Sequence, residues 1–304
     1  MRTAILPFLL CLLCCFSARA VTYTKEDSIR VVELLQKGRE QAAGSNLLLY
    51  YAHQFMDVPY VGHTLEVNRQ EDLVVNLREL DCTTFVETAM ALALTTRHNG
   101  TTWQDYLHWL KTIRYNSGEM QGYCSRNHYF SQWIISNTRL GLVEEQTGTG
   151  YPFIATQRLQ LNFMSRHPDY YAMLKDNPED VKKIAQLEKA ASGVKIRYVP
   201  SSLLNESEAK LKYIKDGDIL ALVTNKSGLD VSHVGFAEWG KDGKLHLLNA
   251  SSIHKKVVLE PMTLFQYAKK HPSMLGIRVI KITAPLPAPP KGEGQTNKSP
   301  LGEI

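Results

Sequence analysis

Cys82, His233 and Asn249 are three residues whose types suit a single chemistry. A thiolate attacks a carbonyl carbon, a base within hydrogen-bond reach takes the thiol proton, and a third polar group fixes the tautomer and direction of that base. Cys82 stands in Leu80-Asp81-Cys82-Thr83-Thr84-Phe85-Val86-Glu87, just ahead of an apolar run of strong helix formers over 88–96. The pattern predicts a helix that opens at or just after Cys82. Unpaired N–H groups and the helix dipole at that end favour an anion, so a lowered thiol pKa is expected. A cysteine on its own is more often buried core than nucleophile, so the reading depends on the residues that accompany it.

Those companions are predicted on strands. After the turn Lys215-Asp216-Gly217-Asp218, a strand is expected over 219–224 and a second, carrying His233, over 231–239. A tight turn at 240–243 leads into 244–251, which carries Asn249. Alternation puts Leu245, Leu247 and Asn249 on one face of that strand and His246 on the other, so only one of Asn249 and His246 can serve His233. A strand at 255–259, a helix from Pro261 to Lys270 and a strand at 274–282 complete this half.

The first half reads as helices. Thr24 caps a helix running to about residue 38 with Ile29, Val32 and Leu35 on one face, and another is expected over 46–56. Tyr60 lies in the turn Pro59-Tyr60-Val61-Gly62, and Thr102 caps a helix to Tyr115. The stretch 122–133 is dense in Arg, His and aromatics. It is either a structural loop with inserted rings or a substrate wall in which Arg126 offers its fork to a carboxylate. Short strands and a helix over 179–191 follow, and Asn205 is expected to cap a short helix ending near Tyr213. Helices first and antiparallel strands last is the α+β order.

Residues 1–20 have the form of an export signal: Arg2, an apolar run over 5–16 too short to span a bilayer, and Ala18-Arg19-Ala20 as a cleavage site. A lipoprotein signal is the rival, but Leu10 and Leu13 rather than small residues precede Cys11 and Cys14. The expected location is therefore periplasmic or secreted, with no stable membrane insertion. Cleavage leaves Cys82 and Cys124, and a bond between them would disable the nucleophile, so both are expected free. The formal net charge of +5 is spread along the chain without a basic block, which argues against nucleic acid. Ten histidines include no HExxH or paired ligand spacing, so neither metal nor cofactor is expected. Residues 21–283 read as one catalytic domain with a long helical insertion between Cys82 and His233, and 284–304 as a disordered Pro-rich tail.

Pro59-Tyr60-Val61-Gly62, Asp81-Cys82-Thr83-Thr84-Phe85-Val86, Asp216-Gly217-Asp218-Ile219, Ser232-His233-Val234-Gly235 and Asn249-Ala250-Ser251 occur in the order found in NlpC-type papain-fold cell-wall hydrolases. More narrowly, the chain resembles their N-acetylmuramoyl-L-alanine amidase-like branch over roughly residues 27–282, including Arg126-Asn127-His128-Tyr129-Phe130. The resemblance implies a papain-like fold, with the cysteine helix packed on the sheet that carries the histidine. It also implies Cys82 as nucleophile, His233 as base and Asn249 as third residue, with His246 the competitor. Tyr60, Asp81, Arg126, His128 and Ser232 become the substrate-facing residues. The implied partner is peptidoglycan or a muropeptide fragment, handled by a monomer. The implied reaction is cleavage between N-acetylmuramic acid and L-Ala. The alternatives are cleavage of the D-Glu to diamino-acid bond, or a catalytically silent wall-binding module. Compact members have Cys-Ser-Gly where this chain has Cys82-Thr83-Thr84, and a shorter Cys-to-His interval.

Overall fold

The computed structural model describes residues 21–283; the expected export signal and the Pro-rich tail lie outside them. The first half supplies β1 (Val21–Thr22), α1 (Lys25–Arg39), α2 (Leu47–His53), β2 (Leu73–Val74), α3 (Cys82–Arg97), α4 (Trp103–Arg114) and α5 (Phe130–Arg139). Next come β3 (Val143–Gln146), β4 (Ala155–Arg158), α6 (Phe163–Arg166), α7 (Pro178–Ala191) and β5 (Lys195–Pro200). The chain ends in β6 (Ile219–Thr224), β7 (Val231–Trp239), β8 (Leu245–Ser251), β9 (Lys256–Leu259), α8 (Leu264–Lys270) and β10 (Met274–Ile282).

Local chemistry sets most boundaries. Reciprocal capping boxes, Thr24 with Asp27, Asp81 with Thr84, Thr102 with Asp105 and Thr263 with Gln266, start α1, α3, α4 and α8. The last of these moves the expected start of α8 from Pro261 to Leu264. Between Thr84 and Thr96 every residue of α3 is buried, which marks it as the central helix. On α1 the buried face differs from the expected one. Val31, Leu34 and Leu35 go inside with Asp27, whereas Ile29 and Val32 are exposed. Asp27 is drawn in because its carboxylate accepts from the Leu77 N–H (2.9 Å) and meets Arg78. No helix follows Asn205: 204–214 forms successive turns that insert Leu204, Leu211 and Ile214 under the sheet.

The sheet is antiparallel and eight-stranded, in the order β4-β5-β10-β6-β7-β8-β9, with β3 on the far end of β10. The final strand is therefore central. The interval between Cys82 and His233 is not purely helical either, since β3, β4 and β5 join the same sheet. Helices α1 to α5 pack with Ile219, Ala221, Val234, Phe236 and Leu248 in one core. Leu220, Leu222, Ala237 and Leu247 point the other way, toward α8 and the 204–214 turns. A third cluster, including Tyr123, Tyr129, Met164 and Ile184, roots α6 and α7 beside the start of α5.

Candidate active site

Cys82 is the first residue of α3, and Asp81 is its N-cap: Asp81 Oδ1 accepts from the Thr84 N–H at 2.8 Å. A strip of backbone pairing brings Tyr60 alongside. Leu80 N–H donates to the Pro59 carbonyl (3.0 Å), Val61 N–H to Leu80 (3.1 Å), and Tyr60 N–H to Lys255 (2.9 Å). The turn that carries Tyr60 is thus stitched to the residue before the helix cap.

The β7–β8 ladder runs from Trp239–Leu245 to Phe236–Leu248, and beyond that point β8 continues with β9. Helix α3 packs against β7 and β8, and the Val234 N–H on β7 favours the thiolate form of Cys82. Just ahead of that contact β7 carries a bulge: His233 pairs with Leu222 but Val231 with Val223, leaving Ser232 as the extra, exposed residue. A bulge re-aims the side chains beside it. Here that neighbour is His233.

His233 Nε2 lies 2.8 Å from Asn249 Oδ1. The amide orientation follows from its surroundings, because Nδ2 donates to the carbonyls of Leu247 (3.1 Å) and Val258 (3.3 Å). Oδ1 therefore accepts from Nε2–H, which leaves Nδ1 as the unprotonated nitrogen of the neutral ring. His246 is engaged elsewhere, with Nδ1 at 3.0 Å from the Glu260 carbonyl and Nε2 at 3.3 Å from Asp242. Gly235 permits the approach of the two strands. A Cβ there would sit 2.7 Å from the Leu248 carbonyl oxygen and 3.0 Å from Asn249 Cβ.

Cys82 and His233 open into one cavity of about 360 Å³, walled also by Tyr60, Asp81, Arg126, His128 and Ser232. Burial raises the Cys82 thiol pKa to about 12, and the Asp81 carboxylate adds to that, against the pull of the Val234 and Thr83 donors. Burial also lowers the pKa of His233, with the Asn249 hydrogen bond opposing. The resting site therefore holds a neutral thiol and a neutral imidazole. The lowered thiol pKa expected from the helix end is overturned, because removal from water outweighs the terminal N–H groups.

The wall from the 122–133 stretch also departs from expectation. The Arg126 fork is already filled: Nε and Nη2 grip both oxygens of Glu71 (2.9 and 2.5 Å), Nη1 reaches Glu66 (2.6 Å), and the Tyr123 ring lies 5.0 Å below. Tyr115 O–H also donates to Glu71 at 2.7 Å. The guanidinium is thus a buried structural cation and offers no free fork to a substrate carboxylate. His128 donates from Nε2 to the Tyr123 carbonyl (2.8 Å), and burial with Arg126 nearby drops its pKa to about 3. It faces the cavity as a neutral ring. Burial lifts the Tyr60 phenol to about 12, with the nearby Cys82 and Asp81 side chains reinforcing, so it remains an O–H donor. Sequence reasoning missed Glu66, Met164, Tyr171 and Asp230, which also line the cavity. Only the fold brings them there. Cys124 is a free thiol on the outer side of this wall, its sulfur 3.6 Å from the Asp180 carbonyl oxygen.

Comparison with known proteins follows the same lines. The profile of the N-acetylmuramoyl-L-alanine amidase-like family matches residues 50–277. An N-acetylmuramoyl-L-alanine amidase of Bacteroides uniformis is 39% identical, with 81% of this chain and 99% of that one covered and a TM-score of 0.73. A Bacteroides fragilis protein provisionally called a xylanase is 46% identical, with 77% and 99% covered and a TM-score of 0.71. A Legionella pneumophila protein, 21% identical over 84% and 94% with a TM-score of 0.63, shares the fold. No curated protein matches. The chain belongs to the N-acetylmuramoyl-L-alanine amidase-like family.

Proposed function

We propose that the protein is an exported cysteine amidase that cuts the bond between N-acetylmuramic acid and L-Ala, using Cys82, His233 and Asn249 in a papain-like arrangement. The observation that carries this reading is the 2.8 Å His233–Asn249 bond in the cavity that Cys82 enters from a helix N-terminus. The Bacteroides uniformis amidase, similar over 99% of its length, supports the choice of bond. Export rests on the sequence of residues 1–20.

In this mechanism the Cys82 sulfur attacks the lactyl carbonyl carbon as His233 Nδ1 takes the thiol proton. Asn249 Oδ1 holds Nε2–H through the imidazolium stage. The Cys82 N–H, at the open end of α3, and the Tyr60 O–H are the donors for the oxyanion. His233 returns its proton to the departing L-Ala nitrogen, which leaves a thioester on Cys82. Water, deprotonated by His233, then hydrolyses that thioester and frees the thiol. Since the resting thiol is neutral, proton transfer accompanies attack rather than preceding it.

Purified muropeptides digested with the enzyme test the reading, with fragments identified by mass. Stem peptides beginning with L-Ala are expected; peptides beginning with the diamino acid would replace this reading with the endopeptidase one. Cys82→Ala is expected to fold and lose about three orders of magnitude in kcat or more. Near-normal turnover in that variant would remove cysteine chemistry altogether.

A further inference from the structure

Beyond the catalytic cavity, the segment around α6 carries three rings in mutual contact at the surface. Phe163 lies 4.7 Å from His167 and 6.3 Å from Tyr170, and the His167 and Tyr170 rings stack at 5.4 Å with only 10° between their planes. They are not core. Tyr170 is 65% exposed, His167 is exposed and Phe163 is half-buried. A connected aromatic surface of this kind marks a contact site.

Two features tie it to the active site. Met164 and Tyr171, the sequence neighbours of Phe163 and Tyr170, line the cavity that holds Cys82 and His233, so the rings stand on the same segment as part of its wall. The segment is also held rigidly. The buried Glu188 carboxylate on α7 accepts from the Met164 N–H (3.0 Å) and the Ser165 N–H (3.1 Å). It also takes the Tyr129 O–H (2.6 Å), whose oxygen accepts from the Phe163 N–H at 3.0 Å. A backbone anchored in this way at 163–165 needs little further ordering when a ligand settles on the segment. Arg166 and Asp169, both exposed, flank the stack with polar groups.

We infer that Phe163, His167 and Tyr170 form an accessory subsite for an N-acetylhexosamine ring of the glycan, outside the cavity where the amide is cut. A pyranose presents an apolar C–H face suited to the open side of Tyr170, and a rim of hydroxyls suited to Arg166 and Asp169. A ring with an apolar body and a polar tip is the side chain for such a ligand. The choice of a saccharide over another occupant rests on the proposed cell-wall substrate, because the segment that carries the rings also lines the cavity through Met164 and Tyr171.

The test is binding of the peptide-free N-acetylglucosamine tetramer to the full chain carrying Cys82→Ala, measured by titration calorimetry. Tyr170→Ala with His167→Ala is expected to weaken binding by about threefold to tenfold, the equivalent of one aromatic contact. Tyr170→Phe should bind within about twofold of the parent, keeping the ring as the operative group. Tyr213→Ala, at an exposed tyrosine elsewhere, should change nothing. Thermal melts of each variant separate lost binding from lost folding. Absence of tetramer binding, or equal affinity in the ring variants, overturns the subsite. Self-association that disappears with Tyr170→Ala also overturns it, assigning the patch to a second copy of the chain. The readout needs no catalysis. Failure of Cys82 chemistry would leave the tetramer result standing, while active enzyme without tetramer binding would sink the subsite alone.

Discussion

Gly235→Ala is a one-methyl perturbation aimed at the distance between His233 and Asn249. The added Cβ would lie 2.7 Å from the Leu248 carbonyl oxygen, 3.0 Å from Asn249 Cβ and 3.0 Å from Leu247 Cδ1, where ordinary contact begins at 3.4 Å. The closest neighbour is backbone and cannot rotate away, so β8 must retreat from β7 by about 0.7 Å. That retreat carries Asn249 with it. Added to the 2.8 Å His233–Asn249 bond, it brings the pair to the limit at which a hydrogen bond ceases to orient. Overpacking of this kind costs about 1–3 kcal/mol of stability, so the fold should survive with a lowered melting point. The kinetic loss should be about 10- to 100-fold in kcat with KM little changed, as expected for a base misplaced by less than 1 Å. The decisive assay is a double-mutant cycle with Asn249→Ala on muropeptide hydrolysis. If Gly235 acts through Asn249, the second substitution should add little to the first. Full kcat in Gly235→Ala, or two losses that multiply, would refute the reasoning.

Further outcomes follow from the other side chains of the site. Asn249→Ala should fold and lose activity to a smaller extent than Cys82→Ala, whereas His246→Ala should be nearly silent; steady-state kinetics that reverse this order would move the third role to His246. Arg126→Ala would strand the buried carboxylate of Glu71 and the half-buried one of Glu66, and cost about 3–5 kcal/mol in urea unfolding. Arg126→Lys should rescue little of that, and a loss below about 1 kcal/mol in the alanine variant would show that the clamp does not hold the wall. His128 is neutral in the fold down to about pH 3 but takes a proton near pH 6.5 when unfolded. Its contribution is therefore full above 6.5 and declines as pH falls, by at most about 1.4 kcal/mol per unit because part of the ring meets solvent. His128→Gln should flatten the slope of unfolding free energy between pH 6 and pH 4, and an unchanged slope would show that the ring is protonated in place.

The parts of this site that were legible in the sequence are those set by neighbours in the chain. Asp81 and Thr84 define a helix start within four residues, and alternation along Leu245 to Ser251 separates Asn249 from His246 without any knowledge of the fold. Residues whose roles depend on distant partners were not legible. Arg126 looked like a free fork because nothing near it in sequence competes for it, while Glu71 and Glu66 arrive from 55 and 60 residues away. Asp27 turned the expected face of α1 in the same way, keeping Leu35 inside but not Ile29 or Val32, since a buried acid is tolerable only once the Leu77 N–H, 50 residues on, is there to meet it.

That asymmetry bears on what the cavity selects. With Arg126 committed to two carboxylates and His128 neutral, the cavity wall built from the 122–133 stretch presents no free positive group. Glu66, Asp81 and Asp230 line the same space. Such a surface accepts hydrogen bonds and repels carboxylates, so acidic groups are poor occupants of it. Hydroxyl and amide N–H groups are good ones.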